Sequence, residues 1–137
     1  MAAEEADEVE IVRSGYEAWN AGDLERFIEL MHPEVVWQPA GVFPGLGHSY
    51  VGREGMREFW SDFKEPWERI EIDVEEVRVI EQGSMLCRLL FRARGREGIE
   101  VERPFTNHLL VRDGMLKHFQ GYTDWDEALA ELGQPRG

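Results

Sequence analysis

The stretch Ile70-Glu71-Ile72-Asp73-Val74-Glu75-Glu76-Val77-Arg78-Val79 decides the architecture. Ile70, Ile72 and Val74 alternate with charged residues, as a strand with one buried face requires. After Val74 the phase slips, and Val77 and Val79 continue on the other parity. A one-residue slip turns the apolar set to the opposite face unless a bulge absorbs the extra residue. The spacing therefore predicts a bulge near Glu75-Glu76. Working outward, Gln82-Gly83-Ser84, the glycines at 95 and 98, and Arg112-Asp113-Gly114 are turns that separate runs 85–94, 99–112 and 115–123. Four consecutive antiparallel strands with a bulge predict a strongly curved sheet.

Upstream of Pro66 the period changes. Val9, Val12, Tyr16 and Trp19 recur at helical spacing, after an acidic, apolar-poor segment 1–8 that reads as a frayed start. Asn20-Ala21-Gly22-Asp23 stops this helix, and Asp23 is placed to cap the next. That second helix carries Leu24, Phe27, Ile28 and Met31 and is expected to end before Pro33. Val35-Val36-Trp37-Gln38 reads as a short strand closed by Pro39. Residues 40–52 form a Gly-rich loop that contains Val42, Phe43, Leu46 and Tyr50; these plug the edge of the core or form a lid. A third helix, 54–64, carries Met56, Phe59, Trp60 and Phe63 on one stripe. Near the end, Asp124 and Glu127 have capping-box spacing ahead of Ala128, Leu129 and Leu132.

Composition bounds the function. The 137 residues carry 28 acidic and 15 basic side chains, a formal charge of −13, with 42% hydrophobic and 11% aromatic residues. One domain, 1–137 with an ordered core over 8–132, is expected, with enough apolar mass for a core. The charge argues against nucleic acid and anionic membranes as partners. No apolar run reaches the roughly 20 residues of a membrane helix. Met1-Ala2-Ala3-Glu4-Glu5 lacks the features of a signal peptide. A single Cys87 excludes an internal disulfide and a cysteine-rich metal site. A cytoplasmic α+β protein without metal or cofactor is the expectation.

Alternation assigns the faces. In 99–112 the odd residues, including Phe105, Asn107 and Leu109, face inward; in 85–93 the odd set Met85, Cys87, Leu89, Phe91 and Ala93 does so. In 115–123 the odd set contains Phe119 and Gly121. Asn107 is out of character between Phe105 and Leu109. An unpaired buried amide costs on the order of 1–3 kcal/mol, so it needs a partner, either a backbone group or a ligand oxygen. Arg103, near its strand's start, reads as rim. His48, in the Gly-rich loop, is the only histidine offered as a general base. His32 reads as structural. His108 and His118 fall on the outer face, as surface or dimer contacts. Leu86, Leu90 and Leu110 share that face and suggest a dimer surface, where Arg88, Arg92, Arg94 and Arg96 are expected to pair with Glu100 and Glu102.

Tyr16-Glu17-Ala18-Trp19-Asn20-Ala21-Gly22-Asp23 with Leu24, His32-Pro33-Glu34-Val35, Tyr50 through Phe59 with Gly52-Arg53-Glu54-Gly55-Met56 at its centre, and Val111-Arg112-Asp113-Gly114 carry a resemblance in their order and spacing. Together they resemble the SnoaL-like and ketosteroid-isomerase-like proteins of the nuclear transport factor 2 superfamily. The resemblance implies a cone-shaped fold, with the curved sheet wrapped on three helices around an apolar cavity, and frequent homodimers. It does not imply one activity. The isomerases' general-base Asp falls on Gln38, which cannot take a proton. Their oxyanion-stabilising Tyr falls on Gly15, their protonated Asp on Asn107, and a pocket-floor Tyr on Trp60. The two aspartates and arginine of epoxide hydrolases, and the Asp base of polyketide cyclases, have no inner-face counterpart.

The expected function is binding of a small, mostly apolar molecule in the cone by Gln38, Trp60, Phe63, Phe91, Phe105, Asn107 and Phe119. Gln38, His48 and Asn107 are the candidates for isomerase, cyclase or hydratase-type chemistry. The alternatives are a non-catalytic binder and a structural dimer module with a filled cone.

Overall fold

The computed structural model describes residues 2–39 and 49–134, with side chains from residue 7 onward. The loop residues Val42, Phe43, Leu46 and His48 lie outside the described residues. The elements in chain order are α1 (Ala2–Ala21), α2 (Leu24–Glu29), β1 (Met31–Gln38), β2 (Tyr50–Val51), α3 (Gly52–Lys64), β3 (Trp67–Glu81), β4 (Ser84–Gly95), β5 (Glu100–Arg112), β6 (Met115–Tyr122) and α4 (Trp125–Glu131). One six-stranded sheet has the order β2-β1-β6-β5-β4-β3. Strand β1 runs parallel to β6 and all other neighbours are antiparallel. This is the expected α+β cone: a curved sheet wrapped on α1, α2 and α3.

The bulge that decides the curvature is present. The β3–β4 register shifts between Val74 and Glu76, so Val74 pairs with Leu89 and Val77 with Cys87. Ile72, Val74, Val77 and Val79 consequently all pack on the same core despite the parity slip. A second bulge, which the sequence pattern does not predict, lies between β5 and β6. Leu110 pairs with His118 and Val111 with Leu116, which leaves Lys117 as the extra residue. Leu116 and Phe119 are therefore both buried, and the odd-parity reading of 115–123 holds only from Phe119 onward.

Several boundaries differ from expectation. Helix α1 extends back to Ala2 and does not begin at Val9, and the Glu8 carboxylate accepts the Gly83 N–H at 2.9 Å, which ties the helix to the β3–β4 turn. Asp23 does cap α2, accepting the Arg26 N–H at 3.1 Å. That helix stops at Glu29, and Met31 opens β1. Pro33 keeps His32 out of helical geometry, and the Leu30 carbonyl is taken by the Leu116 N–H at 2.8 Å, which draws the chain into the sheet. Tyr50 and Val51, expected in the loop, form strand β2, and α3 starts two residues early at Gly52.

Helix α4, capped by Asp124 through the Glu127 N–H at 2.7 Å, packs on the outer face of the sheet. Trp125, Ala128 and Leu129 bury Leu86 there. Leu86 thus has the expected outer parity, yet it cannot serve the dimer surface assigned to it. The arginine stripe also pairs differently. Arg88 reaches Glu76 and Arg92 reaches Glu71 and Asp73, all on β3, although Glu102 and Glu100 stand opposite Arg92 and Arg94 on β5.

Candidate functional site

The interior of the cone is an aromatic shell. Trp19 on α1 is ringed by Phe27, Phe59, Trp60 and Phe63 at centroid distances of 5.1–5.8 Å. Trp37 on β1 lies 4.5 Å from Phe119 and 4.7 Å from Phe59. Edge-on and tilted rings of this kind pack favourably. Between Tyr16, Trp19, Trp37, Phe63, Phe105 and Phe119, with Phe27, Phe59 and Ile72 completing the wall, an apolar space of about 20 Å³ remains. That is room for about one water.

The polar centre of this shell is Asn107. It is fully buried and stands between Cys87 on β4 and Gly121 on β6. Gly121 has no side chain there to occupy the place beside Asn107. The Asn107 amide Nδ2 donates to the Tyr16 hydroxyl at 2.9 Å. The expected partner is thus a side chain on α1, not a backbone group. Tyr16 is the residue beside Asn107, and Gly15 is not: a Cβ at Gly15 would come within 3.0 Å of Leu116 Cδ1, so that position serves close helix–sheet packing. Burial raises the Tyr16 pKa well above the ordinary value, the nearby Cys87 adds to this, and the Asn107 hydrogen bond opposes it. Tyr16 is a neutral phenol at physiological pH and a hydrogen-bond donor. Burial likewise pushes the Cys87 thiol up to about 12, against the opposing charge of Arg13, so Cys87 is no nucleophile at neutral pH.

Among the described residues, three buried polar side-chain atoms in this region have no hydrogen-bond partner: Trp19 Nε1 and Trp37 Nε1, on residues that line the space, and Asn107 Oδ1, on the residue bonded to Tyr16. Native interiors pair nearly all such groups, so each of the three calls for an account.

The expected site residues divide. Phe63, Phe105 and Phe119 bound the apolar space. Phe91 is buried behind Phe63, 5.5 Å away. Trp60 stacks on the outer side of Trp19 and Phe27, half-buried, under the Lys64 ammonium 3.9 Å from its ring. Gln38 is exposed: β1 turns Trp37 inward and Gln38 outward, in one cross-strand row with Gln120 and His108 on the outer face. Gln38 and Asn107 therefore do not face one another, and Gln38 orients nothing in the cone. Tyr16, Trp19 and Trp37, which line the space, are not among the site residues expected from the sequence. The signal for Tyr16 was available, since it is the only hydroxyl-bearing residue in the stripe Val9, Val12, Tyr16, Trp19.

On the outer face, Ser84 Oγ lies 2.7 Å from His108 Nε2. Burial lowers the pKa of both His108 and His118, and for His108 the neighbouring His118 adds to this. His32 accepts the Glu34 N–H through Nδ1, as a structural residue would. Among the described residues no three His, Cys, Asp or Glu side chains gather as a metal site would require.

Comparison with known proteins accords with this geometry. Residues 12–119 match the SnoaL-like domain. No curated protein matches. Among solved structures, TerC co-crystallised with polyporic acid is similar at 22% identity and a TM-score of 0.76, over 92% of this chain and 97% of that one. Rv0760c of Mycobacterium tuberculosis, in complex with estradiol-17β-hemisuccinate, is similar at 19% identity and a TM-score of 0.72, over 88% of this chain and 95% of that one. An NTF2-like protein of unknown function from Burkholderia pseudomallei has 21% identity and a TM-score of 0.76, over 90% and 95% of the two chains. At these identities the solved structures speak for the fold, and the match over most of the sequence speaks for the family: the chain belongs to the SnoaL-like domain family.

Proposed function

We propose that this protein binds a small, mostly apolar molecule inside the cone and holds an oxygen of that molecule at Tyr16 and Asn107. The observation that carries this reading is the set of buried polar atoms in and beside the aromatic shell that have no partner among the described residues, Asn107 Oδ1, Trp19 Nε1 and Trp37 Nε1. A ligand hydroxyl would accept a hydrogen bond from the Tyr16 O–H and donate one to Asn107 Oδ1. The ligand complexes of TerC and Rv0760c support small-molecule binding in this fold. The apolar space of about 20 Å³ means that aromatic side chains must move to admit it.

The described residues that bound the apolar space include no carboxylate or histidine, which favours binding without proton transfer. Isomerase, cyclase or hydratase-type turnover would require His48 or a ligand group as base. We place the protein in the cytoplasm as a single domain, homodimeric through the outer face around His118 and Leu110. The test uses N-phenyl-1-naphthylamine, whose fluorescence rises in apolar surroundings. Asn107→Leu should weaken binding of a hydroxylated analogue about fivefold relative to the parent, the worth of one hydrogen bond of about 1 kcal/mol. Unchanged affinities together with a raised melting temperature would sink the reading and favour a filled, structural cone.

A further inference from the structure

A second space lies directly outside the first. A cleft of about 420 Å³ runs between α1 and β3, lined by Arg13, Tyr16, Glu17, Asn20, Ile72, Asp73 and Val74. Tyr16 and Ile72 line both this cleft and the apolar space within. These two side chains are thus the wall between solvent and the cone. The Asn20 side chain closes the same seam: its Nδ2 donates to the Ile72 carbonyl and its Oδ1 accepts the Ile72 N–H, each at 2.8 Å. Because β3 is an edge strand of the sheet, these two bonds satisfy backbone groups that no neighbouring strand reaches.

The charges at the cleft are unequal in what they are free to do. Asp73 is held by Arg92 at 2.7 Å. Glu17, one helical turn from Arg13, forms no ion pair with it. Arg13 makes no ion pair among the described residues, in a chain with 28 acidic and 15 basic side chains. Its positive charge is nevertheless felt at the floor of the cone, where, beneath the larger effect of burial, it favours the ionised form of Cys87 beside Tyr16 and Asn107. A cation with no ion-pair partner among the described residues, in a cleft that adjoins an apolar space, is complementary to an amphipathic acid.

We propose that the α1–β3 cleft is the mouth of the cone, and that the ligand is an apolar molecule with an acidic end: its body crosses the Tyr16–Ile72 wall and its anion rests against Arg13. This rests on the reading that the cone holds a small molecule, and the experiment separates the two. N-Phenyl-1-naphthylamine and 1-anilinonaphthalene-8-sulfonate share one apolar body, and only the second carries an anion. Arg13→Gln is expected to weaken the sulfonate about fivefold, the upper range for an exposed ion pair, and to leave the neutral amine unchanged. Glu17→Gln, which removes a facing negative charge, is expected to tighten the sulfonate and again leave the amine alone. Ile72→Trp, with folding checked by circular dichroism, should slow entry of both probes at least tenfold. An Arg13→Gln variant that binds both probes as the parent does, or loses both equally, overturns the mouth at α1–β3. Failure of the parent protein to bind the neutral amine overturns the cone reading itself.

Discussion

Tyr16 and Asn107 are coupled in a way that single substitutions will reveal. In the native state Asn107 Nδ2 has the Tyr16 hydroxyl as its partner, and Oδ1 has none among the described residues. Tyr16→Phe would leave the whole amide unpaired in a fully buried position. Its expected cost is about 1–3 kcal/mol, the penalty for an unsatisfied buried polar group. Asn107→Leu removes the amide, with its unpaired Oδ1, and adds apolar packing, at the expense of leaving one hydroxyl, that of Tyr16, without its partner; it should cost less than Tyr16→Phe. The double variant should be more stable than the sum of the single effects predicts. Urea denaturation of the four proteins measures this, and strictly additive effects would show that the hydrogen bond carries no coupling energy.

Glycine positions separate by what surrounds them. Gly83 turns β3 into β4 at φ +76°, and a Cβ there would lie 2.9 Å from the Val111 carbonyl oxygen and against the Arg112 guanidinium. That guanidinium donates to the carbonyls of Gly83 and Val111 at 3.0 and 2.8 Å, so it is not free to swing away. Gly22 has a similar φ of +72° with nothing within 4 Å of such a Cβ. Gly22→Ala should therefore cost only the left-handed backbone penalty, about 1–2 kcal/mol. Gly83→Ala carries that penalty plus the clash and should be the less stable of the two by thermal melts. Equal melting temperatures would count against the crowding.

At the scale of elements, α4 acts as a cap on the outer sheet face. Trp125 packs against both Arg78 and Arg88, whose guanidinium carbons lie 4.9 and 4.5 Å from its ring centroid. Leu86, Ala128 and Leu129 complete a small separate core with it. Leu86→Ala should cost about 2–5 kcal/mol, as for other fully buried leucines. Because this cluster is apart from the main core, the loss should appear first as faster amide exchange in α4, with β4–β5 still protected. Uniform loss of protection would show that α4 and the sheet unfold as one unit.

The same elements show how far the sequence can be read. The β3 bulge is legible because an apolar triplet, Ile70, Ile72 and Val74, and a pair of opposite parity, Val77 and Val79, leave no other solution. The β6 bulge is not, because Met115, Leu116, Lys117 and His118 give no clear alternation to slip. The burial of Leu86 depends on α4 folding back over the sheet, a tertiary event that strand parity does not encode. For the site, Asn107 was visible as a polar residue between Phe105 and Leu109. Its partner on α1 is 91 positions away, and only the crossing of α1 over the sheet selects Tyr16 over Gly15. Gln38 was misread because it was placed by family correspondence; the alternation Val35, Trp37 inward already turned it out.

For the whole molecule, the histidines of the outer face set a pH dependence distinct from that of the carboxylates. Burial lowers the pKa of His108 and His118 below the ordinary value of 6.5, and for His108 the positive charge that His118 would carry adds to the effect, with Glu81 opposing. The unfolded chain then binds more protons than the native state as pH falls through the unfolded value. Stability from these groups is fully present above about 6.5 and declines as pH falls toward their lower native values. Charging His108 makes both ring nitrogens donors, so in the protonated state Nε2 donates to Ser84 Oγ, 2.7 Å away. Ordinary carboxylates titrate near 4, so the interval from pH 7 to 5 isolates the imidazoles. Urea midpoints should fall steadily across that interval in the parent protein and much less in a His108→Gln/His118→Gln variant. A parent midpoint that is flat from pH 7 to 5, or a variant with the same slope as the parent, would place the titrating groups elsewhere.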